Sequence, residues 1–173
     1  MDMTKVIYES ASPVLGEAMT ETGLDVPFVP TPRPIVRRML ALADTKPGER
    51  LIDLGAGDGR IVIAAAKEFG ANALGVELHP ERYAIIRNSA RPLKPNLEAV
   101  RQNFFLTDLS NADVVTMYLL PSVNEALRKK LERELHSGAR VVSHDFSIPE
   151  WTPARVEIIH GPTGLHTLYL YKI

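Results

Sequence analysis

Residues 51–59, with the sequence LIDLGAGDG, restrict the fold more than any other part of the chain. A short apolar run ends in Asp53, three glycines follow on alternate positions, and an apolar stretch of helical period then continues to Gly70. A strand, a glycine turn and a helix in this order present bare backbone to a ligand at the carboxyl end of a parallel strand. The segment therefore predicts an α/β sheet with a ligand site at that edge.

Apolar runs of strand length alternate with longer segments of helical period along the rest of the chain. This alternation predicts parallel strands joined by crossover helices. The predicted strands cover residues 50–53, 73–77, 97–101, 113–119, 140–143, 154–160 and 166–172. The sequence GPTG between the last two indicates a terminal hairpin.

Two helix starts have a sequence signal of their own. Thr31 followed by Pro32 predicts an N-cap and a first helical residue, because the threonine oxygen accepts a backbone N–H and proline has none to leave unpaired. Ser122 and Glu125 have the spacing of a capping box, which predicts a helix that continues to Gly138.

Length and composition limit the function classes. A chain of 173 residues with 45% hydrophobic residues is long enough for one substantial core. We expect a domain over residues 26–173 and an N-terminal extension over residues 1–25, either a lid or a flexible segment. A net charge of -1 makes nucleic acid an improbable partner.

The chain has no cysteine, which excludes disulfides, thiolate zinc sites and cysteine nucleophiles and is typical of a reducing compartment. No apolar run approaches the roughly 18 residues of a membrane span. We expect a cytoplasmic protein without a membrane-spanning segment.

The glycine turn and a distant acid together predict a nucleoside ligand. Glu77 lies 24 positions after Asp53 at the end of the second predicted strand, where an acid can accept both ribose hydroxyls. A dinucleotide fingerprint needs glycine at the position of Arg60, so NAD is disfavoured. Asp53 and Asp58 would repel a pyrophosphate but would favour a cationic ligand.

The sequence DLGAGDGR resembles the signature of class I methyltransferases, whose donor, S-adenosylmethionine, carries a sulfonium and an ammonium group. Asn103 is expected to hydrogen-bond the adenine edge while Phe104 packs on its face. The full set of residues predicted to bind the donor is Phe28, Thr31, Asp53, Gly55, Ala56, Gly57, Asp58, Glu77, Asn103 and Phe104.

A wider resemblance covers residues 26–173. The segments FVPTP, GVELHPER, YLLPSVNEAL, VVSHDF and HTLYLY, in this order, resemble the small archaeal protein-lysine methyltransferases and their relatives that modify the mitochondrial adenine nucleotide translocase and the c-subunit of ATP synthase. The resemblance implies a Rossmann-like fold, with a mostly parallel seven-stranded sheet, an antiparallel last strand and helices on both faces. It also implies methyl transfer to lysine ε-amines, without a metal.

The predicted catalytic residues are Tyr118, Pro121 and His144, with Phe28 and Trp151 as further candidates for the acceptor wall. The Tyr118 ring can hold an alkylammonium by a cation–π contact. His144, followed by Asp145, is expected to orient the substrate or accept a proton. An open cleft without a substrate domain predicts broad specificity for proteins with exposed lysines.

Several alternatives remain open from the sequence. The lack of cysteine excludes the usual route to cytosine C5 methylation, and the NPPY or DPPY motif of nucleic-acid amino methylation is absent after the fourth strand. A methyltransferase of RNA or of a small amine, or a donor-binding module without turnover, is still possible. The oligomeric state is not predicted.

Overall fold

The computed structural model describes residues 28–173, in which seven strands form one sheet flanked by four helices. The strands are β1 (Arg50–Leu54), β2 (Asn72–Val76), β3 (Leu97–Val100), β4 (Val114–Met117), β5 (Arg140–His144), β6 (Arg155–Gly161) and β7 (Gly164–Lys172). The helices are α1 (Arg33–Leu42), α2 (Arg60–Phe69), α3 (Pro80–Ala90) and α4 (Pro121–Glu134). Two short 3₁₀ turns cover Arg91–Leu93 and Phe104–Leu106.

The strand order is β3-β2-β1-β4-β5-β7-β6, and β7 runs antiparallel to the other six strands. The order reverses between β1 and β4, which makes the carboxyl ends of these strands a topological switch point. This topology confirms the predicted Rossmann-like fold with an antiparallel last strand.

The central strands are apolar on both faces because helices cover both sides of the sheet. In β1, Leu51, Ile52 and Leu54 are all at most 1% exposed. One buried cluster joins the sheet to α1, α2 and α3, and a second joins its opposite face to α4. The predicted placement of helices on both faces is therefore confirmed.

All seven predicted strands exist within a few residues of their expected bounds, and β6 and β7 form the predicted hairpin. Glu77 and Tyr118 each lie one residue beyond a strand, after β2 and β4 respectively. This placement directs both side chains to the switch-point edge of the sheet.

Both predicted helix caps are wrong. Pro32 is the N-cap residue of α1, and the Thr31 hydroxyl instead bonds to His144 Nδ1 at 3.0 Å. Helix α4 begins at Pro121, so Ser122 lies inside its first turn rather than at the cap. In both cases the rigid φ of a proline fixes the helix start, and it leaves the nearby hydroxyl free for other contacts.

The helices of residues 28–173 include none with the length and apolar character needed to cross a membrane. The predicted N-terminal extension, residues 1–25, lies outside the described residues, and its boundary stays a prediction.

Helix α4 provides a test of the second core cluster. Leu127 is fully buried against the sheet, whereas Lys129 on the same helix is exposed. We expect Leu127→Ala to lower the free energy of unfolding by about 3 kcal/mol, through lost burial and a residual cavity. Lys129→Ala is the matched control and should change it by less than about 0.5 kcal/mol. Urea denaturation measures both; equal losses would contradict the assigned packing of α4.

Candidate active site

A cleft of about 280 Å³ opens at the carboxyl ends of β1, β2 and β4. It lies where the strand order reverses, the usual ligand position in open α/β sheets. Eleven of the thirteen predicted site residues line it: Phe28, Thr31, Asp53, Gly55, Ala56, Gly57, Asp58, Glu77, Asn103, Phe104 and Tyr118. Pro121 and His144 do not.

The glycine turn forms the floor of the cleft. Gly55, Gly57 and Gly59 have φ values of +79°, +58° and +82°, in the left-handed region that favours glycine. A Cβ on Gly57 would lie 2.3 Å from Cε2 of Phe28, whose ring packs directly over the turn. A side chain at Gly57 would therefore clash with Phe28, so the backbone of the turn faces the cleft directly and the Phe28 ring covers part of it.

Glu77 holds the glycine turn in place from the end of β2. Its Oε2 accepts a hydrogen bond from the Gly57 N–H at 2.8 Å, and its Oε1 accepts one from the His79 N–H at 2.8 Å. Arg82 Nη2 donates to Oε1 at 3.2 Å, and the same guanidinium lies 5.4 Å from the centre of the Phe28 ring. Each carboxylate oxygen has two lone pairs, so acceptor capacity remains on Oε2 for a ribose hydroxyl.

Asp53 is a buried acid without a cationic partner among residues 28–173. It is 2% exposed, and its Oδ1 accepts a hydrogen bond from the Thr116 hydroxyl at 2.8 Å. Burial raises the pKa of Asp53 to about 7, against the lowering effect of the Thr116 bond, and the charges of Glu77 and Asp58 raise it further. A cationic ligand in the cleft would favour the ionised form.

Arg60 joins the glycine turn to the segment that precedes α1. Its guanidinium donates hydrogen bonds to both carboxylate oxygens of Asp58, with Nη2 2.6 Å from Oδ2, and its Nη1 donates to the Thr31 carbonyl at 2.9 Å. Burial alone would raise the pKa of Asp58, but the hydrogen bonds and charge of Arg60 hold it below its usual value. Thr31 is thus placed at the cleft by contacts of both its carbonyl and its hydroxyl.

Asn103 and Phe104 follow β3 and form another side of the cleft. Asn103 is buried, and its Oδ1 accepts the Phe105 N–H at 3.0 Å, which starts the 3₁₀ turn. Its side-chain amide nitrogen remains as a donor for an adenine edge. The Phe104 ring lines the cleft and lies 5.1 Å from that of Phe105. Their predicted roles toward adenine stay predictions.

Tyr118 and Phe146 form an aromatic wall beside the donor end of the cleft. Both line it, with ring centres 6.4 Å apart and planes 25° from parallel. The Tyr118 hydroxyl donates to Asp145 Oδ2 at 3.0 Å. Burial and the neighbouring carboxylate raise the pKa of Tyr118 to about 12, so the phenol stays protonated at neutral pH.

His144 lies behind this wall rather than in the cleft. It is 0% exposed, its ring centre lies 3.9 Å from that of Tyr118, and its Nε2 bonds to His166 Nδ1 at 2.9 Å. Burial lowers the pKa of His144 to about 4, so the ring is neutral at pH 7. This position does not bring His144 into contact with a cleft ligand; it supports the Tyr118 ring.

Two of the other predicted wall residues, Pro121 and Trp151, also lie outside the cleft lining. Pro121 is exposed at the first position of α4. Trp151 packs against Tyr171 with ring centres 5.4 Å apart, and its Nε1 donates to Glu132 at 2.8 Å. Phe28, predicted for both donor and acceptor sides, lies on the donor side over Gly57.

Comparison with known proteins assigns the chain that carries this site to a family. Residues 53–155 match the family model described as the ANTKMT methyltransferase domain. A protein-lysine N-methyltransferase of Saccharolobus islandicus is 47% identical over 154 residues, which cover 86% of this chain and 94% of the relative. The human lysine N-methyltransferase of the ATP synthase c-subunit is 34% identical over 95% of this chain and 68% of its own length.

The chain belongs to the ANTKMT methyltransferase family. It is an S-adenosylmethionine-dependent protein-lysine methyltransferase, as its resemblance to the archaeal and mitochondrial enzymes implied. A crystal structure described as an RNA methyltransferase from Salinibacter ruber with S-adenosyl-L-homocysteine is 44% identical, with a TM-score of 0.79 over 84% of this chain and 94% of that one. The demethylated donor bound there agrees with the predicted cofactor.

The cleft of this methyltransferase fits that donor. The bare glycine turn allows close approach, and the buried Asp53 has no cationic partner among the described residues. Asp53 would pair with the ammonium group, and Glu77 would accept the ribose hydroxyls.

Nine residues that line the cleft of the methyltransferase were not among the predicted site residues. They include Arg60, Arg82, Leu120 and Phe146. Arg60 occupies the glycine position of a dinucleotide fingerprint, a departure that could have indicated a side-chain role. Phe146 carried no such signal, because it is held by Asn124, whose Nδ2 donates to the Phe146 and Ser147 carbonyls at 3.2 and 3.1 Å across 22 and 23 residues.

The raised pKa of Asp53 predicts pH-dependent donor binding. Below about pH 7 the carboxyl gains a proton and loses its attraction for a cation, so the Kd for S-adenosylmethionine should rise as the pH falls, approaching about tenfold per unit. Asp53→Asn should bind weakly at every pH. Calorimetry between about pH 6 and about pH 8 measures this; exposed Asp44→Asn is the control. A wild-type Kd that is constant over this range would contradict the role of Asp53.

The contact of Phe28 with Gly57 predicts a steric effect on the same binding. Gly57→Ala places a methyl against the Phe28 ring and should weaken donor binding at least about tenfold. Gly48→Ala is the matched control, since Gly48 has φ +82° but nothing within 4 Å of an added Cβ; it should lose only about 1–2 kcal/mol of stability. The double variant Gly57→Ala, Phe28→Ala should fold better than Gly57→Ala alone, in thermal denaturation; no such rescue would reject the clash.

Proposed function

We propose that the enzyme methylates lysine ε-amines of several cytoplasmic proteins, with the cleft residues acting in the roles given above. The observation that carries this proposal is the juxtaposition of an acidic donor cleft with the Tyr118–Phe146 aromatic wall. An acidic cleft suits a cationic donor, and an aromatic wall suits an alkylammonium acceptor.

The donor side has to fix the reacting methyl relative to the acceptor. The Glu77 bond to Gly57 sets the turn, Asp53 attracts the donor ammonium, and the Phe28 ring excludes water from above. When bound, S-adenosylmethionine supplies an electrophilic methyl group on its sulfonium.

The acceptor side has to receive lysine as the neutral amine. Deprotonation of a lysine with pKa about 10.4 costs about 4–5 kcal/mol at pH 7. Burial of the amine beside the apolar side chain of Leu119, away from bulk water, disfavours the charged form and lowers this cost. The nitrogen lone pair then forms the N–C bond as the S–C bond breaks, the sulfur keeps that electron pair as a thioether, and the lysine proton leaves to solvent.

Broad acceptor range is supported by the shape of the site. Within residues 28–173 the cleft is covered only by the short segment before α1, and the connections between β4 and α4 and between β5 and β6 carry no added domain. A lysine on a surface loop can therefore approach without a defined partner fold.

RNA methylation is the second candidate, because the Salinibacter ruber protein that is 44% identical is described as an RNA methyltransferase. A net charge of -1 counts against it, since RNA binding depends on neutralising phosphates with an excess of Lys and Arg. The two acceptors are separated by the experiment that tests the proposal.

The purified enzyme is incubated with methyl-labelled S-adenosylmethionine and a lysate of its own cells, then treated with protease or ribonuclease before counting and mass spectrometry. We expect label on lysines of several proteins, sensitive to protease alone. Glu77→Ala should reduce the incorporation of label at least about a hundredfold, because the hydrogen bond that holds the glycine turn and a contact with the donor are both lost. Glu125→Ala, at an exposed position of α4, is the control and should leave the incorporation of label unchanged. Ribonuclease-sensitive label would establish RNA as the acceptor instead, and one labelled protein would reject broad specificity.

A further inference from the structure

Asp145 occupies a strained backbone position beside the aromatic wall. It follows β5 directly, with φ +61°, between the buried His144 and the cleft residue Phe146. The left-handed region is unfavourable for a residue with a side chain, and such positions persist where the surrounding structure fixes them. The strain turns the chain so that the Asp145 carboxylate reaches Tyr118.

The Asp145 carboxylate is held by one donor on each oxygen. Oδ1 accepts the Thr167 N–H at 2.9 Å, and Oδ2 accepts the Tyr118 hydroxyl at 3.0 Å. The side chain is 24% exposed, so solvent reaches it. Each oxygen keeps a further lone pair, and the acid therefore has fixed position and spare acceptor capacity.

The negative charge of Asp145 has no Lys or Arg partner within 4.0 Å in residues 28–173. Among residues 28–173, the basic side chains within 4.0 Å of this carboxylate are two histidines, with His144 Nε2 at 3.4 Å and His166 Nδ1 at 3.7 Å from Oδ2. Both nitrogens of each ring are already hydrogen-bonded: His144 to Thr31 and His166, and His166 to His144 and Thr163. His144 is neutral, so it does not balance the acid.

We propose that Asp145 binds the ammonium group of the substrate lysine as it passes the Tyr118–Phe146 wall. This inference rests on the proposed lysine methylation and names a substrate-binding residue for it. The Tyr118 hydroxyl donates to Asp145, so the carboxylate lies at the hydroxyl end of a ring that lines the cleft, where it can attract an ammonium group that moves along that ring.

The charge of Asp145 should act on binding rather than on the chemical step. A carboxylate stabilises lysine in its protonated form, which is the form that arrives, whereas methyl transfer needs the neutral amine. An interaction with the incoming ammonium lowers KM without raising kcat. Loss of the charge is therefore expected to raise KM without lowering kcat.

The test uses Asp145→Asn, which keeps the size of the side chain and an oxygen for the Thr167 N–H. The substrate is a lysine peptide from a protein that the wild-type enzyme labels, and the competitor is the same peptide with norleucine in place of lysine. We expect KM to rise about tenfold, the loss expected for a hydrogen bond to a charged group. We expect the wild-type enzyme to bind the lysine peptide much more tightly than the norleucine peptide, so that the ratio of norleucine to lysine affinity is well below one. In the variant this ratio should approach one.

A structural role alone would weaken both peptides equally and leave that ratio unchanged, which would overturn the inference. Glu98→Gln, an exposed acid on β3 at the far edge of the sheet, is the matched control and should keep both KM and ratio. If Asp145→Asn does not fold, the affinities of the wild-type enzyme for the lysine and norleucine peptides are measured at increasing sodium chloride concentrations. A preference for the lysine peptide that salt does not weaken overturns the inference. If the wild-type enzyme labels no lysine at all, the proposed function fails first.

Discussion

The hydrogen bond from the Gly57 N–H to Glu77 is the contact on which the donor site depends. It joins the turn after β1 to the end of β2, and the parallel pairing of these strands brings the two ends to one edge. The left-handed glycines can form the turn, but glycine has more backbone freedom to lose than any other residue. A buried acid that accepts backbone N–H groups restricts that freedom, so the same carboxylate shapes the site and remains available to a ligand.

Charge distribution separates the two halves of the site. Arg60 pairs with Asp58 and Arg82 with Glu77, whereas Asp53 on the donor side and Asp145 on the acceptor side have no Lys or Arg partner among residues 28–173. These two acids are therefore available to cations that arrive from solvent. A methyltransferase with a cationic donor and a cationic acceptor needs such a division, because two cations must be brought together before one of them loses its proton.

The strands and the donor site were largely predictable from sequence because their signals are local. Apolar runs marked β1 to β7, and the spacing from Asp53 to Glu77 reflects one strand–helix–strand unit. The acceptor side was less predictable because its contacts join distant residues. Thr31 was expected to cap a helix, but its hydroxyl bonds to His144 across 113 residues, and that pairing carries no local pattern. The burial of His144 likewise follows from the docking of β5 against β7, which periodicity does not reveal.

The acidic cleft also bears on how the enzyme finishes a cycle. Transfer of the methyl group converts the sulfonium to an uncharged thioether, so the spent donor carries one positive charge less than the fresh one. We expect the acidic side chains of the cleft to attract the spent donor less strongly than the fresh one, which favours release of the product after transfer.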